Sequence, residues 1–258
     1  METAQAEVAS VNRNDEYSFT KPARDEIVLV AGLGVDGDMH AGVHVRHRSR
    51  VRVDPTQPNL RQVHLIHQEL FTDVAHKGYE VRPGDLGENV TTCGLDVLGL
   101  PVGTILRFGP EPHGEAASPP APDGGGTGPA SHARAGGTPD GGALAPVLAA
   151  ADAATLNEPT ARAAEAVRAA IARETAAEGS RGVDPRPALV VAGLRNPCQQ
   201  INTFRSGLLK EVVGHDENGG LVRKGGIMAV VLRGGSVRPG DTISVELPPH
   251  PHAALEPV

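Results

Sequence analysis

Cys198 lies in the stretch LRNPCQQIN and is one of two cysteines in 258 residues, with Pro197 fixing the backbone before it and Arg195 just upstream. A thiol beside a cation loses its proton more easily, and the thiolate is the form that attacks electrophiles, carries sulfur or binds a soft metal. An unreactive free thiol packed as a small hydrophobe would also account for this segment.

A second polar constellation, GVDGDMHAGVHVRHRSRVRV, runs from Gly34 to Val53 and concentrates Asp36, Asp38, His40, His44 and His47 with Arg46, Arg48, Arg50 and Arg52. Glycines at 34, 37 and 42 let backbone amides approach a ligand, and the basic side chains suit a phosphate or another anion. On a strand the four alternating arginines would share one face; a solvated loop is the plainer alternative. Asp38, His40 and His44 are also oxygen and nitrogen donors of the kind zinc and iron sites use. No HExxH is present and the spacing fits no zinc motif, so a metal-dependent hydrolase stands only as a lesser alternative.

The third, VRPGDLGENVTTCGLDVLGLPVGTILRFG, spans Val81 to Gly109 and sets Glu88 and Asn89 at the start of a strand, where their polar ends could face a site. Gly-Asp and Gly-Glu-Asn also serve as ordinary turn chemistry. Cys93 belongs to the body of that strand and reads as packing.

These residues must be positioned by a core of Val, Leu, Ile and Ala, since hydrophobic residues make up 39% of the chain and aromatics only 2%. Such a core favours strands. EIVLVAG, RQVHLIH, ENVTT, TILRFG, ALVVAG, IMAVVLRGG and DTISVEL are the expected strands, and HQELFTDVAHKG is an amphipathic helix closed by Gly78. The turn sequence VRPGD occurs twice, at Val81–Asp85 and Val237–Asp241, each copy leading into a strand-like run.

After Gly109 the chain becomes rich in Pro, Gly and Ala and lacks the apolar surface needed to offset ordering entropy. Further on, EPTARAAEAVRAAIARETAAEGS predicts a helix with Thr160 as N-cap and Gly179 as its stop, lying on the surface and carrying no chemistry. The expected organisation is therefore an N-terminal arm (1–26), one β-rich domain (27–109 and 188–247), an insertion (110–187) partly disordered with an Ala-rich surface helix, and a C-terminal tail (248–258).

The formal charge of −7 gives no global attraction for nucleic acid or an anionic membrane. Two cysteines make no disulfide framework, the N-terminus has no signal-peptide core, and no apolar run reaches membrane-spanning length. A reducing cytoplasm is the expected setting.

In order, GVDGDMHAG, RQVHLIHQEL, VRPGDLGENVTTCGLDVLGLPVGTILRFG and LRNPCQQIN resemble the MOSC domain family, named after the C-terminal domain of molybdenum cofactor sulfurase. The resemblance covers residues 30–109 and 188–247 and departs from the family pattern at the long insertion; loop-closure cost grows slowly enough with length for the two parts to fold together. It implies a mainly β, barrel-like domain with a few short helices that binds the molybdenum cofactor (molybdopterin). Cys198 would then be the molybdenum ligand or a sulfur carrier, in sulfur transfer or two-electron reduction of N-hydroxylated compounds. A cofactor carrier or binding module without catalysis is the alternative.

The expected cofactor-binding residues are Asp38, His40, Arg46, Arg48, Arg61, Glu88, Asn89, Arg195 and Asn196. Those between His40 and His64 are assigned to the pterin phosphate by charge alone. No pyridoxal phosphate is expected on this chain, which lacks the length and a lysine motif for a desulfurase domain. Sulfur would come from an external cysteine desulfurase, or reducing equivalents from an outside electron donor, since no flavin, haem or iron–sulfur motif is present.

Overall fold

The computed structural model describes residues 5–47, 51, 52, 54–112, 141–215, 217 and 219–258. Thirteen strands are found among them: β1 (Glu7–Asn12), β2 (Ala23–Arg24), β3 (Ile27–Val30), β4 (Gly34–Val35), β5 (Val63–His67), β6 (Val90–Cys93), β7 (Ile105–Phe108), β8 (Ala188–Leu194), β9 (Val213–His215), β10 (Leu221–Arg223), β11 (Ile227–Arg233), β12 (Gly235–Val237) and β13 (Ile243–Glu246). The helices are α1 (Glu69–Ala75), α2 (Gly141–Ala153), α3 (Glu158–Arg181), α4 (Gln199–Phe204) and α5 (Leu208–Val212). All seven strands expected from Val, Ile and Leu runs are present as β3, β5, β6, β7, β8, β11 and β13.

Eight strands form one mixed sheet in the order β13-β7-β8-β11-β5-β6-β1-β2, in which only the β5–β6 pair is parallel. A separate three-stranded sheet has the order β12-β3-β4. The expected barrel is not closed by a continuous ladder. The large sheet curls until the start of β1 meets the residue before β13 at one bridge, Glu7 to Thr242, flanked by Val8 N donating to Asp241 O (2.9 Å) and Ile243 N donating to Ala6 O (2.8 Å). Asp241 belongs to the second VRPGD turn, and the two copies are built alike: Asp85 and Asp241 each accept from the backbone N–H of the turn's arginine, at 2.9 and 2.7 Å.

Every residue of β11 is buried, as expected for a strand that is apolar from Ile227 to Leu232 and covered on both faces; its last residue, Arg233, is buried against Glu174. One face meets Leu29, Leu65, Val191 and Phe108; the other lies under α2 and α3 with Ile105, Val190, Val230 and Val167. This corrects the picture of a surface helix. Ala163, Ala164, Val167 and Ala170 of α3 are buried in the core, because alanine side chains let the helix backbone approach the sheet closely. Its N-cap is Asn157 rather than Thr160: the Asn157 side chain accepts from Thr160 N at 3.0 Å, and the helix runs past Gly179 to Arg181, ending at Gly182.

Helix α2, with Pro146 inside it, was not anticipated in the insertion. The disorder expected within residues 113–140 falls outside the described residues. The stretch expected as an N-terminal arm supplies β1 and β2, while Pro257 of the expected tail bridges to Leu194 and Val258 is buried. The described residues of both stretches therefore contribute to the β-rich unit. Among the described residues no helix is long and apolar enough to cross a membrane.

Candidate functional site

Where β8 ends, the chain turns through Arg195, Asn196 and Pro197, and Cys198 takes the N-cap position of α4 with its thiol half-buried. The Arg195 guanidinium faces the sulfur, Nη2 to Sγ at 3.9 Å, and the thiol donates to Gln200 Oε1 at 3.4 Å. Arg195 itself is buried. Burial lowers its pKa, against the opposing effects of Cys198 and Glu88, and its Nη1 is buried with no hydrogen-bond partner among the described residues. A buried guanidinium nitrogen without an acceptor is an unmet demand for one.

Around this corner lies a cavity of about 500 Å³, into whose wall the fold brings His40, Arg61, Asn89, Arg195, Asn196 and Cys198. Lys21, His47, Arg52 and His64 share that wall. Six of the expected site residues, drawn from all four sequence blocks, therefore meet at one place.

Asp38 stands behind the wall and organises it. Its carboxylate accepts from Lys21 Nζ (2.7 Å), Asn89 Nδ2 (2.9 Å), the His40 backbone N–H (2.9 Å) and His40 Nδ1 (3.3 Å). Burial pushes this carboxyl up, but the bond from His40 and the Lys21 ammonium outweigh it and hold Asp38 far below the usual carboxylate range. Because Asp38 accepts at Nδ1, the neutral His40 ring keeps Nε2 as its acceptor nitrogen. Burial lowers the His40 pKa, Asp38 opposes that, and Lys21 and Arg61 reinforce it. His47 stacks on His40 with 4.2 Å between ring centroids and is held neutral by burial and by the neighbouring His40 and Arg61.

From Asp38 a polar chain leads to the thiol. Asn89 Oδ1 accepts from His64 N (3.2 Å), His64 Nε2 bonds Gly225 O (2.7 Å), and Arg195 N donates to Gly226 O (3.0 Å). Arg195 then reaches Cys198.

The remaining expected residues fall elsewhere. Glu88 is fully buried and fixes a turn: its Oε1 accepts from Gly84 N (2.5 Å) and Thr91 Oγ1 (3.1 Å), and burial raises its pKa. Arg46 is exposed and donates to Ala41 O (3.2 Å), away from the cavity wall. Arg48 and Arg50 lie outside the described residues. The described part of the arginine-rich stretch is not a strand, so Arg46 and Arg52 do not form an edge-on row; Arg52 reaches the cavity and Arg46 does not.

His44 is exposed, and among the described residues no three His, Cys, Asp or Glu side chains are grouped to hold a metal ion. The donor set considered for a hydrolase is thus not assembled around Asp38 and His40. Cys93 ends β6, half-buried, in ladder register with Glu7. Lys21 is the site residue that sequence reasoning missed. It stands in a segment read as an arm, and its partner Asp38 is non-local, so no local pattern marks it. His64 was visible only as part of a broad basic cluster.

No protein-family model matches the chain, and no curated protein matches its sequence. Among solved structures, it is similar to the YuaD protein of Bacillus subtilis, at 19% identity and a TM-score of 0.54 over 95% of this chain and 97% of that one. It also aligns with YiiM of Geobacillus stearothermophilus at 11% identity and a TM-score of 0.49, over 96% and 79% of the two chains. The likeness to YuaD is one of fold.

Proposed function

We propose that this chain is a MOSC-type protein that binds the molybdenum cofactor in the Cys198 cavity, with the Cys198 sulfur as ligand to the metal. The observation that carries this reading is the convergence of the four resembling blocks on one cavity containing a half-buried thiol.

The donor set fits such a group. A thiolate is a soft ligand suited to a sulfur-rich metal centre. Arg52 and Arg61 give the wall positive charge for a phosphate, and the unmet Nη1 of Arg195 is a further donor. His40 and Asn89 offer hydrogen bonds from positions that Asp38 fixes. When bound, the cofactor supplies two-electron redox chemistry at its metal. The chain's own residues hold the ligand sulfur beside a guanidinium, receive the anionic end of the cofactor, and keep a neutral imidazole in the wall.

In this reading the protein reduces N-hydroxylated compounds with an external electron donor, or passes on sulfur received from an external cysteine desulfurase. Both cysteines are free, in keeping with a reducing cytoplasm. The test is to purify the protein from cells able to make the cofactor, assay oxidised pterin by fluorescence, and trap any persulfide on Cys198. Stoichiometric pterin supports the cofactor reading. A trapped persulfide without pterin overturns the cofactor reading in favour of sulfur carriage, and the absence of both pterin and persulfide overturns both.

A further inference from the structure

We propose that His64 is a positioning residue for Cys198, acting through the Gly225–Gly226 turn. This rests on the reading of Cys198 as the working thiol and assigns to its neighbourhood a residue that does not touch the sulfur.

His64 stands on β5, buried, with Nε2 at 2.7 Å from the Gly225 carbonyl. A carbonyl only accepts, so this nitrogen carries the proton and donates. The turn it holds is gripped from both sides. A Cβ on Gly225 would lie 3.0 Å from Pro197 Cγ and 3.4 Å from Arg195 Cδ, so the turn packs directly against the segment leading to Cys198. Gly226 has φ +86°, and a Cβ there would lie 2.1 Å from Leu65 O, so the same turn is seated on β5. Arg195 N donates to Gly226 O, which ties the guanidinium-bearing residue to the turn's backbone.

A displacement of this turn therefore moves Arg195 relative to the Cys198 sulfur. Burial, and next the charge of Arg195, hold the His64 imidazole neutral, consistent with a fixed donor rather than a titrating one. If His64 only filled space, an apolar residue of similar size would serve equally well and leave the thiol's surroundings unchanged.

The experiment compares two probes of Cys198 in a Cys93→Ser background: the anionic disulfide dithiobis(nitrobenzoate) and the neutral dithiodipyridine. Arg195 beside the sulfur favours the anionic probe, and the ratio of the two rate constants reports its placement. In His64→Leu this ratio is expected to fall about threefold, the scale of a partly exposed ion pair, and His64→Gln, which keeps an N–H near the same place, is expected to restore it. Gly225→Ala, which pushes on Pro197 from the other side, should lower the ratio as well and serves if His64→Leu does not fold.

An unchanged ratio in the folded His64→Leu and Gly225→Ala proteins, with a reactive parent thiol, overturns the proposal and leaves the cofactor reading standing. A parent thiol that reacts with neither probe in protein free of molybdenum overturns both.

Discussion

Asn89 donates its side-chain amide to Asp38 at 2.9 Å although 51 residues separate them, and that bond ties the Gly-Glu-Asn block to the Asp-Met-His block behind the cavity wall. The same Asp38 oxygen receives Lys21 Nζ at 2.7 Å, with both side chains almost fully buried. Removing one member of a buried ion pair strands the other charge. Asp38→Ala should therefore destabilise the protein by about 3 kcal/mol in urea unfolding. The double replacement Asp38→Leu with Lys21→Met should recover a large part of that loss, whereas a double loss equal to the sum of the two single losses would show that the pair is not coupled.

The same pair sets an acid limit. Asp38 has a folded pKa below its unfolded one, so its contribution is complete above the ordinary carboxylate range and is lost as pH falls through that range towards the folded value. Glu174 is depressed likewise, its burial outweighed by Arg107 and Arg233, while Glu88, raised by burial, works in the opposite sense. Unfolding free energy should therefore decline below about pH 4. Asp38→Asn, less stable at neutral pH, should lose less on acidification; parallel pH curves for the two proteins would contradict this.

Outside the wall of the thiol cavity, Glu174 clamps α3 to the sheet. Its carboxylate takes Arg107 Nη1 at 3.1 Å and Nη2 at 2.5 Å, and Arg233 Nη2 at 3.1 Å, while Arg233 also pairs with Glu178. Glu174→Ala leaves two buried guanidinium groups short of their shared partner and should cost about 3 kcal/mol or more. Thermal and urea unfolding read that loss, and the reactivity of Cys198 in the folded variant should stay unchanged. A loss below about 1 kcal/mol would place the clamp among ordinary surface pairs.

The legible parts of the fold are those whose signal is local. Runs such as IMAVVLR mark strands buried on both faces, and all seven strands expected on that basis are present. β1, with the sequence EVASVN, escapes because polar residues break the run and its partner β6 lies far along the chain. The Ala-rich α3 looks like a surface helix because alanine carries little hydrophobic weight, yet small side chains are what allow its close packing. Glu174 gives no hint of burial, since Arg107 and Arg233 reach it from strands 67 and 59 residues away.

The site divides in the same way. Cys198, Arg195, Asn89 and His40 are marked by motif and charge, whereas Lys21 is defined only by the tertiary pair with Asp38. Arg46 shares the charge of Arg61 but not its place, because composition does not say which arginine of a cluster faces inward.

The most direct test of the cofactor reading is the molybdenum content of protein purified from cells that make the cofactor, measured in the parent chain, in Cys198→Ala and in Cys93→Ala. Cys198 lies in the cavity wall and Cys93 at the end of β6. The expected result is one molybdenum per chain in the parent and in Cys93→Ala, with loss in folded Cys198→Ala. Molybdenum retained undiminished in Cys198→Ala would contradict the assignment of that sulfur as the ligand.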